Sequence, residues 1–237
     1  MLNMRSAVPV PGAADLTARA RIRDAAIARF AAAGVAATGV RAVARDAGVS
    51  AGLVMHHFGS KEGLQAACDA HVCAVLRQQK SAAMAAGASL DPVAALRQAA
   101  EGPPLTRYLA RRLVEGSGEV GALFDELVAD AVGYMAQGVD SGLLRPSADP
   151  VGRAAVLTAW SLGALVLHEH LQRVLGVDLL GAPGEALAYL RPALDLLSGG
   201  LLTPEHAARL TAALDDAGTG GVGHEARNGP TEKEQAS

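Results

Sequence analysis

At 237 residues, half of them hydrophobic, the chain can hold one or two domains with substantial cores. Only 3% of the residues are aromatic, so those cores must come from Ala, Leu and Val, a composition that favours helix over strand. Two cysteines are too few for a disulfide scaffold or a cysteine-based zinc centre, and a net charge of −3 argues against an indiscriminate nucleic-acid binder. An all-α protein is expected, with neither metal nor cofactor.

Residues 1–15 carry Pro9, Pro11 and Gly12 with no sustained apolar run, so a flexible arm is expected there rather than a secretory signal. A first helix is predicted over about 17–33, with Ile22, Ala26, Phe30 and Ala33 on one stripe and Gly34 ending it. Thr38 is a good N-cap for a second helix, which places Val40, Val43, Ala44 and Ala47 on one face and breaks at Gly48. Ser50 caps a third helix over about 51–58; Gly59 and Ser60 break it, and a long helix starts near Lys61. Cys68 and Cys73 lie on that helix, turned away from each other and read as buried small hydrophobes in a reducing cytoplasm. Further helices are predicted at about 91–100, 104–115, 119–139, 150–175, 184–198 and 204–214, and a disordered tail from residue 216. The longest uncharged apolar stretch, residues 154–167, falls short of the roughly twenty residues a membrane span needs, so a soluble protein is expected.

Charge is distributed unevenly. Between Asp15 and Gly63 seven bases (Arg19, Arg21, Arg23, Arg29, Arg41, Arg45, Lys61) face four acids, and the rest of the chain is acidic. A basic segment on an acidic body focuses attraction for phosphate at one end, although a solvated charged face would look the same.

Val40 to Phe58 reads as a helix-turn-helix. Ala44 is small where two helices must cross closely, Gly48 tolerates the positive φ of the turn, and Val49 plugs the corner. Thr38-Gly-Val-Arg-Ala-Val-Ala-Arg-Asp-Ala-Gly-Val-Ser, followed by His56-His-Phe-Gly-Ser-Lys-Glu-Gly-Leu64, closely resembles the DNA-binding domain of the TetR family of transcriptional regulators. The resemblance covers about residues 17–65; the remainder matches in layout alone. It implies a helix-turn-helix domain over 16–62 with its motif at about 39–58, then a helical effector-binding and dimerisation domain over 63–215. It further implies that the last helices form a homodimer, that the middle ones enclose a small-molecule pocket, and that Thr38, Ser50, His57 and Lys61 contact the phosphate backbone of double-stranded DNA. Many relatives carry Tyr at the position of Met55, which cannot reproduce a hydroxyl contact.

Helical geometry sorts the third helix independently. At 100° per residue, Leu53, Val54, His57 and Phe58 fall on one side and should pack inward; Ala51, Gly52, Met55 and His56 fall on the other and should face a major groove. The outward set lacks Arg, Lys, Asn and Gln, so base contacts are expected from His56, from Ala51 and Met55 against thymine methyls, and from Arg41 on the second helix. His57 reads equally well as a packed histidine, and Arg45 as a solvated one.

Three segments imitate other chemistry. Gly48-Val-Ser-Ala-Gly52 matches the nucleophile elbow of serine hydrolases, which needs a preceding strand that residues 41–47 do not resemble. Gly116-Ser-Gly-Glu-Val-Gly121 matches a dinucleotide-binding pattern but follows an amphipathic helix. His168 and His170 lie about 200° apart on a helix and cannot share a metal unaided.

The dimer candidates are the helices at about 150–175 and 184–198. Small residues Ala154, Ala155, Ala159, Gly163 and Ala164 would allow close helix approach, though an internal core would account for them as well. Tyr108, Tyr134 and Trp160 are candidate effector contacts because aromatics are rare here. The scarcity of polar clusters in these helices suggests a largely apolar effector. A palindromic operator follows from two-fold symmetry. A DNA-binding architectural protein without an effector is the alternative.

Overall fold

The computed structural model describes residues 13–89, 91, 103–115, 120–181 and 187–220. Ten α-helices and no strand occur among them: α1 (Ala13–Ala37), α2 (Val40–Ala47), α3 (Ala51–Phe58), α4 (Lys61–Ala86), α5 (Pro103–Glu115), α6 (Val120–Asp140), α7 (Pro150–Val166), α8 (His168–Leu175), α9 (Leu187–Gly199) and α10 (Pro204–Gly220). The helix expected over 91–100 lies outside the described residues, apart from Asp91.

Several boundaries differ from expectation: α1 already begins at Ala13, within the stretch expected to be a flexible arm, and α10 enters the stretch expected to be a disordered tail. α1 is interrupted at Gly34 (φ 84°, ψ 163°) but resumes to Ala37, leaving Ala33 exposed while Ile22, Ala26 and Phe30 are buried. Gly39, not Thr38, is the N-cap of α2: the Thr38 hydroxyl instead donates to the Gly34 carbonyl at 2.7 Å, satisfying an acceptor that the α1 break would otherwise strand. The single helix expected over 150–175 is two, bent by 74° at Leu167. Beyond the bend the chain delivers Val177 and Leu180 to buried positions, so packing overrides a locally uninterrupted helical sequence. α10 runs to Gly220, six residues beyond the expected end at 214.

The described residues up to Ala188 form one compact unit. Its first core cluster joins Ile22, Ala26 and Phe30 of α1 to Val43 and Ala44 of α2, Val54 of α3, and Leu64, Cys68 and Val72 of α4. Tyr108 of α5 closes the same cluster, its ring centroid 6.3 Å from that of Phe30. A second cluster begins one residue further along α4, at Cys73, with Leu109, Leu123, Leu127 and Leu162. α4 therefore lends one end to the helix-turn-helix core and the other to the α5–α6–α7 core. A third, smaller cluster (Ala131, Met135, Ala154) holds α6 against α7.

The described residues from Tyr189 to Gly220 form a second unit, in which Leu194, Leu196, Leu197, Leu210 and Leu214 of α9 and α10 are exposed. No single described helix is long and apolar enough to cross a membrane.

Candidate nucleic-acid interface

The α2–α3 corner is built from turn chemistry. Gly48 adopts the left-handed conformation (φ 65°, ψ 39°); its N–H reaches the Arg45 carbonyl at 3.2 Å, and Val49 N–H reaches that of Ala44 at 2.9 Å. This is the double closure of a Schellman motif, and it aims the chain straight into the next helix. Ser50 then starts α3, its hydroxyl oxygen accepting the Leu53 N–H at 3.1 Å.

The corner is clamped to its neighbours. Arg29 of α1 pairs with Asp46 of α2, its Nη2 donating to Oδ1 at 2.9 Å, and this hydrogen-bonded guanidinium holds the Asp46 carboxyl below its usual range. Arg19 stands over the Phe58 ring, 5.4 Å from its centroid. After Gly59 (φ 73°), Ser60 caps α4 by accepting the Gly63 N–H at 3.0 Å. A Cβ at position 63 would overlap the Phe58 carbonyl, so the close passage of the two backbones requires glycine there.

α3 presents two faces. Val54 is buried, and Leu53, His57 and Phe58 are half-buried, while Gly52, Met55 and His56 are exposed. Ala51 straddles the boundary, half-buried against the core. His57 sits between the rings of His56 and Phe58, at centroid distances of 5.6 and 6.1 Å. Ser50, Arg41 and Arg45 are exposed. Lys61 donates its Nζ to the Ala36 carbonyl at 3.2 Å, tying the start of α4 to the end of α1. Thr38 is buried, its hydroxyl committed to Gly34.

A cavity of about 240 Å³ lies among α4, α5, α6 and α7. Tyr134 lines it; Tyr108 and Trp160 do not. Tyr108 is fully buried and donates its hydroxyl to Asp69 Oδ1 at 2.6 Å; burial, then that hydrogen bond, pushes its pKa well up. Trp160 is half-buried on α7. The cavity is not purely apolar, since Arg77, Lys80 and Asp130 reach it from separate turns of α4 and from α6. That convergence is invisible when each helix is inspected alone.

The segment matching a nucleophile elbow is the α2–α3 corner, with helix on both sides rather than a strand before the serine. Of the dinucleotide-like segment, residues 116–119 lie outside the described residues, and Val120 and Gly121 begin α6.

Two family models match. "Bacterial regulatory proteins, tetR family" covers residues 22–68 and "Tetracyclin repressor-like, C-terminal domain" covers residues 101–203. The HTH-type transcriptional regulatory protein RaaS of Mycobacterium tuberculosis is 41% identical over 193 residues, spanning 80% of this chain and 89% of that protein. The chain belongs to the TetR family of transcriptional regulators. Crystal structures of TetR-family regulators from Rhodococcus sp. and Pectobacterium atrosepticum share its fold, at TM-scores of 0.57 and 0.51, with 22% identity in each case. The first covers 76% of this chain and 98% of its own, the second 81% and 98%. TetR-family regulators are non-enzymatic proteins that bind DNA, act as dimers and carry ligand-binding C-terminal domains, so this chain is a DNA-binding transcriptional regulator and the serine-hydrolase reading falls.

In this TetR-family regulator the roles of Glu115 and of the Asp69–Arg112 pair, and the close passage at Gly63, are not legible in the local sequence. Each acts through a contact between elements, which local patterning does not encode. Arg112 lies buried on α5 and reaches Asp69 of α4 through Nε at 3.2 Å and Nη2 at 3.1 Å.

Proposed function

We propose that this regulator is a homodimeric repressor that reads a palindromic operator and is released from it by a small effector with a largely apolar body. The observation carrying the reading is the split of α3: a packed inner face and an exposed outer face of Gly52, Met55 and His56, with Ser50 and Arg41 also exposed. In this reading His56, Met55, Ala51 and Gly52 meet base edges and Arg41 reaches in from α2. Ser50, His57 and Lys61 meet phosphates, Lys61 at a helix start where free N–H groups also attract anions. Thr38 acts from behind, by holding the α1 terminus.

Two-fold symmetry would set two such helices about one DNA turn apart, or a multiple of it. Exposed Val151 and Val156 on α7 and the exposed leucines of α9, each within its own unit, supply apolar surface for the dimer. An effector in the α4–α7 cavity acts by population shift: it favours a dimer whose recognition helices are wrongly spaced, and α4 conveys the change because it belongs to both cores.

Genomic footprinting with the purified full-length protein tests the proposal. A preferred palindrome, bound about a thousandfold or more tighter than other sequences, is expected. Equal binding to all sequences would favour an architectural DNA-binding protein instead.

A further inference from the structure

The α4–α7 cavity contains an unbalanced charge. Arg77 is neutralised in place, its Nη1 donating to both carboxylate oxygens of Asp130 at 2.9 and 3.2 Å. Lys80, one turn further along α4, lines the same cavity and has no acid partner among the described residues. Lys80 is exposed where it lines the cavity, and the protein atoms around it hold its pKa below the usual lysine range. The other walls are leucines from α4, α5, α6 and α7, joined by Tyr134 of α6 and by Thr158 and Ser161 of α7.

We propose that the cavity selects a compact monocarboxylic acid with an apolar body, and that Lys80 is the residue that specifies the acid. The inference rests on the cavity being the effector site. One uncompensated positive charge matches one carboxylate; the second charge of a dianion would face only neutral hydroxyls and leucines, and an amine would meet a like charge. A volume of about 240 Å³ lies below the usual range for drug-sized ligands, which runs from about 300 Å³, so the acid is small: a medium-length chain or a single ring.

The test is calorimetric titration of the full-length protein with three eight-carbon probes of equal length: sodium octanoate, 1-octanol and octylammonium chloride. Octanoate is expected to bind about tenfold or more tighter than octanol, as a charge-assisted hydrogen bond requires, with octylammonium weakest. Lys80→Met keeps the aliphatic stem and should lose the preference while still binding octanol; removing an unpaired desolvated charge should leave thermal stability equal or higher. Octanol equal to octanoate on the wild type, a preference that survives in Lys80→Met, or no binding of any probe would overturn the proposal. The wild-type order alone decides the matter should the variant not fold. Operator release is read separately. Octanoate that binds in the expected order without loosening DNA would remove the effector reading and leave the acid preference standing. Release by an uncharged compound, with no preference for octanoate, would do the reverse.

Discussion

The carboxylate of Glu115, the last residue of α5, accepts the backbone N–H of Val35 at 3.1 Å, although the two lie 80 residues apart. Arg111 holds the other oxygen of that carboxylate, also at 3.1 Å. Val35 follows the break in α1, where the Gly34 carbonyl accepts Thr38 and the Ala36 carbonyl accepts Lys61. The end of α1 is thus a junction at which α5 of the larger body, the entry to α2 and the start of α4 are all hydrogen-bonded to neighbouring peptide groups.

Gly34 is required there twice over. Its φ of 84° with ψ of 163° is a conformation essentially confined to glycine, and a Cβ would overlap Glu115 Oε1. Gly34→Ala should cost about 1–3 kcal/mol in urea unfolding. Combining it with Glu115→Ala should cost less than the two single changes added, because the overlap is gone. Simple additivity would show that the contact contributes nothing.

Asp69 organises a buried network between α4 and α5, accepting from Tyr108 and from two nitrogens of Arg112. Asp69→Ala removes the carboxylate partner of a buried guanidinium and should destabilise by about 3 kcal/mol or more. Tyr108→Phe, which removes one hydrogen bond, should cost about 1 kcal/mol. Equal effects of the two changes in chemical denaturation would contradict the assignment of the charge pair as the dominant interaction.

On DNA, Lys61 has both a structural bond to Ala36 and a proposed phosphate contact. Lys61→Gln retains a donor for the carbonyl while removing the charge. It should weaken binding to all sequences alike and lower the slope of log affinity against log salt by about one. An unchanged slope would confine Lys61 to its bond with Ala36. His56→Ala should alter base preference at one position of each half-site, readable by competition with single-base operator variants; an unaltered preference would move readout elsewhere.

The thiols of Cys68 and Cys73 are fully buried, and burial pushes each up to about 12, with nearby Asp69 and Glu126 adding to it respectively. In the unfolded chain a thiol ionises near 8.5. Above that pH the unfolded state binds fewer protons than the folded one, so stability is complete below about pH 8.5 and falls as pH rises toward 12. By pH 9.5 the loss should reach about 1 kcal/mol per thiol in urea midpoints. Cys68→Ala should reduce that loss relative to its own value at pH 7.5; the same slope without the thiol would assign it to other groups. Native protein should also resist alkylation at neutral pH.

What the sequence discloses is what is local. The Gly48 corner, the Ser50 cap and the two faces of α3 follow from turn chemistry and a 3.6-residue period, and the structure has them, except that Ala51, expected to face outward, packs half-buried against the core. The bend at Leu167 is hidden because Gly163 alone among residues 163–170 disfavours helix and it lies a turn before the bend, which accompanies burial of Val177 and Leu180 further on. Thr38 has the right side chain for an N-cap, and only the carbonyl stranded at Gly34 explains why it serves α1 instead. The charged groups of the cavity were equally hidden, since Arg77, Lys80 and Asp130 meet only when α4 and α6 pack.

The most direct test of groove entry by α3 is methylation protection on the duplex recovered by footprinting. Guanine N7, in the major groove, should be protected in two half-sites separated by one helical turn or a multiple of it, and replacement of Met55 and His56 by Ala should abolish or redistribute that protection. Protection confined to the minor groove, or a pattern unchanged by those replacements, would show that another surface of the protein reads the DNA.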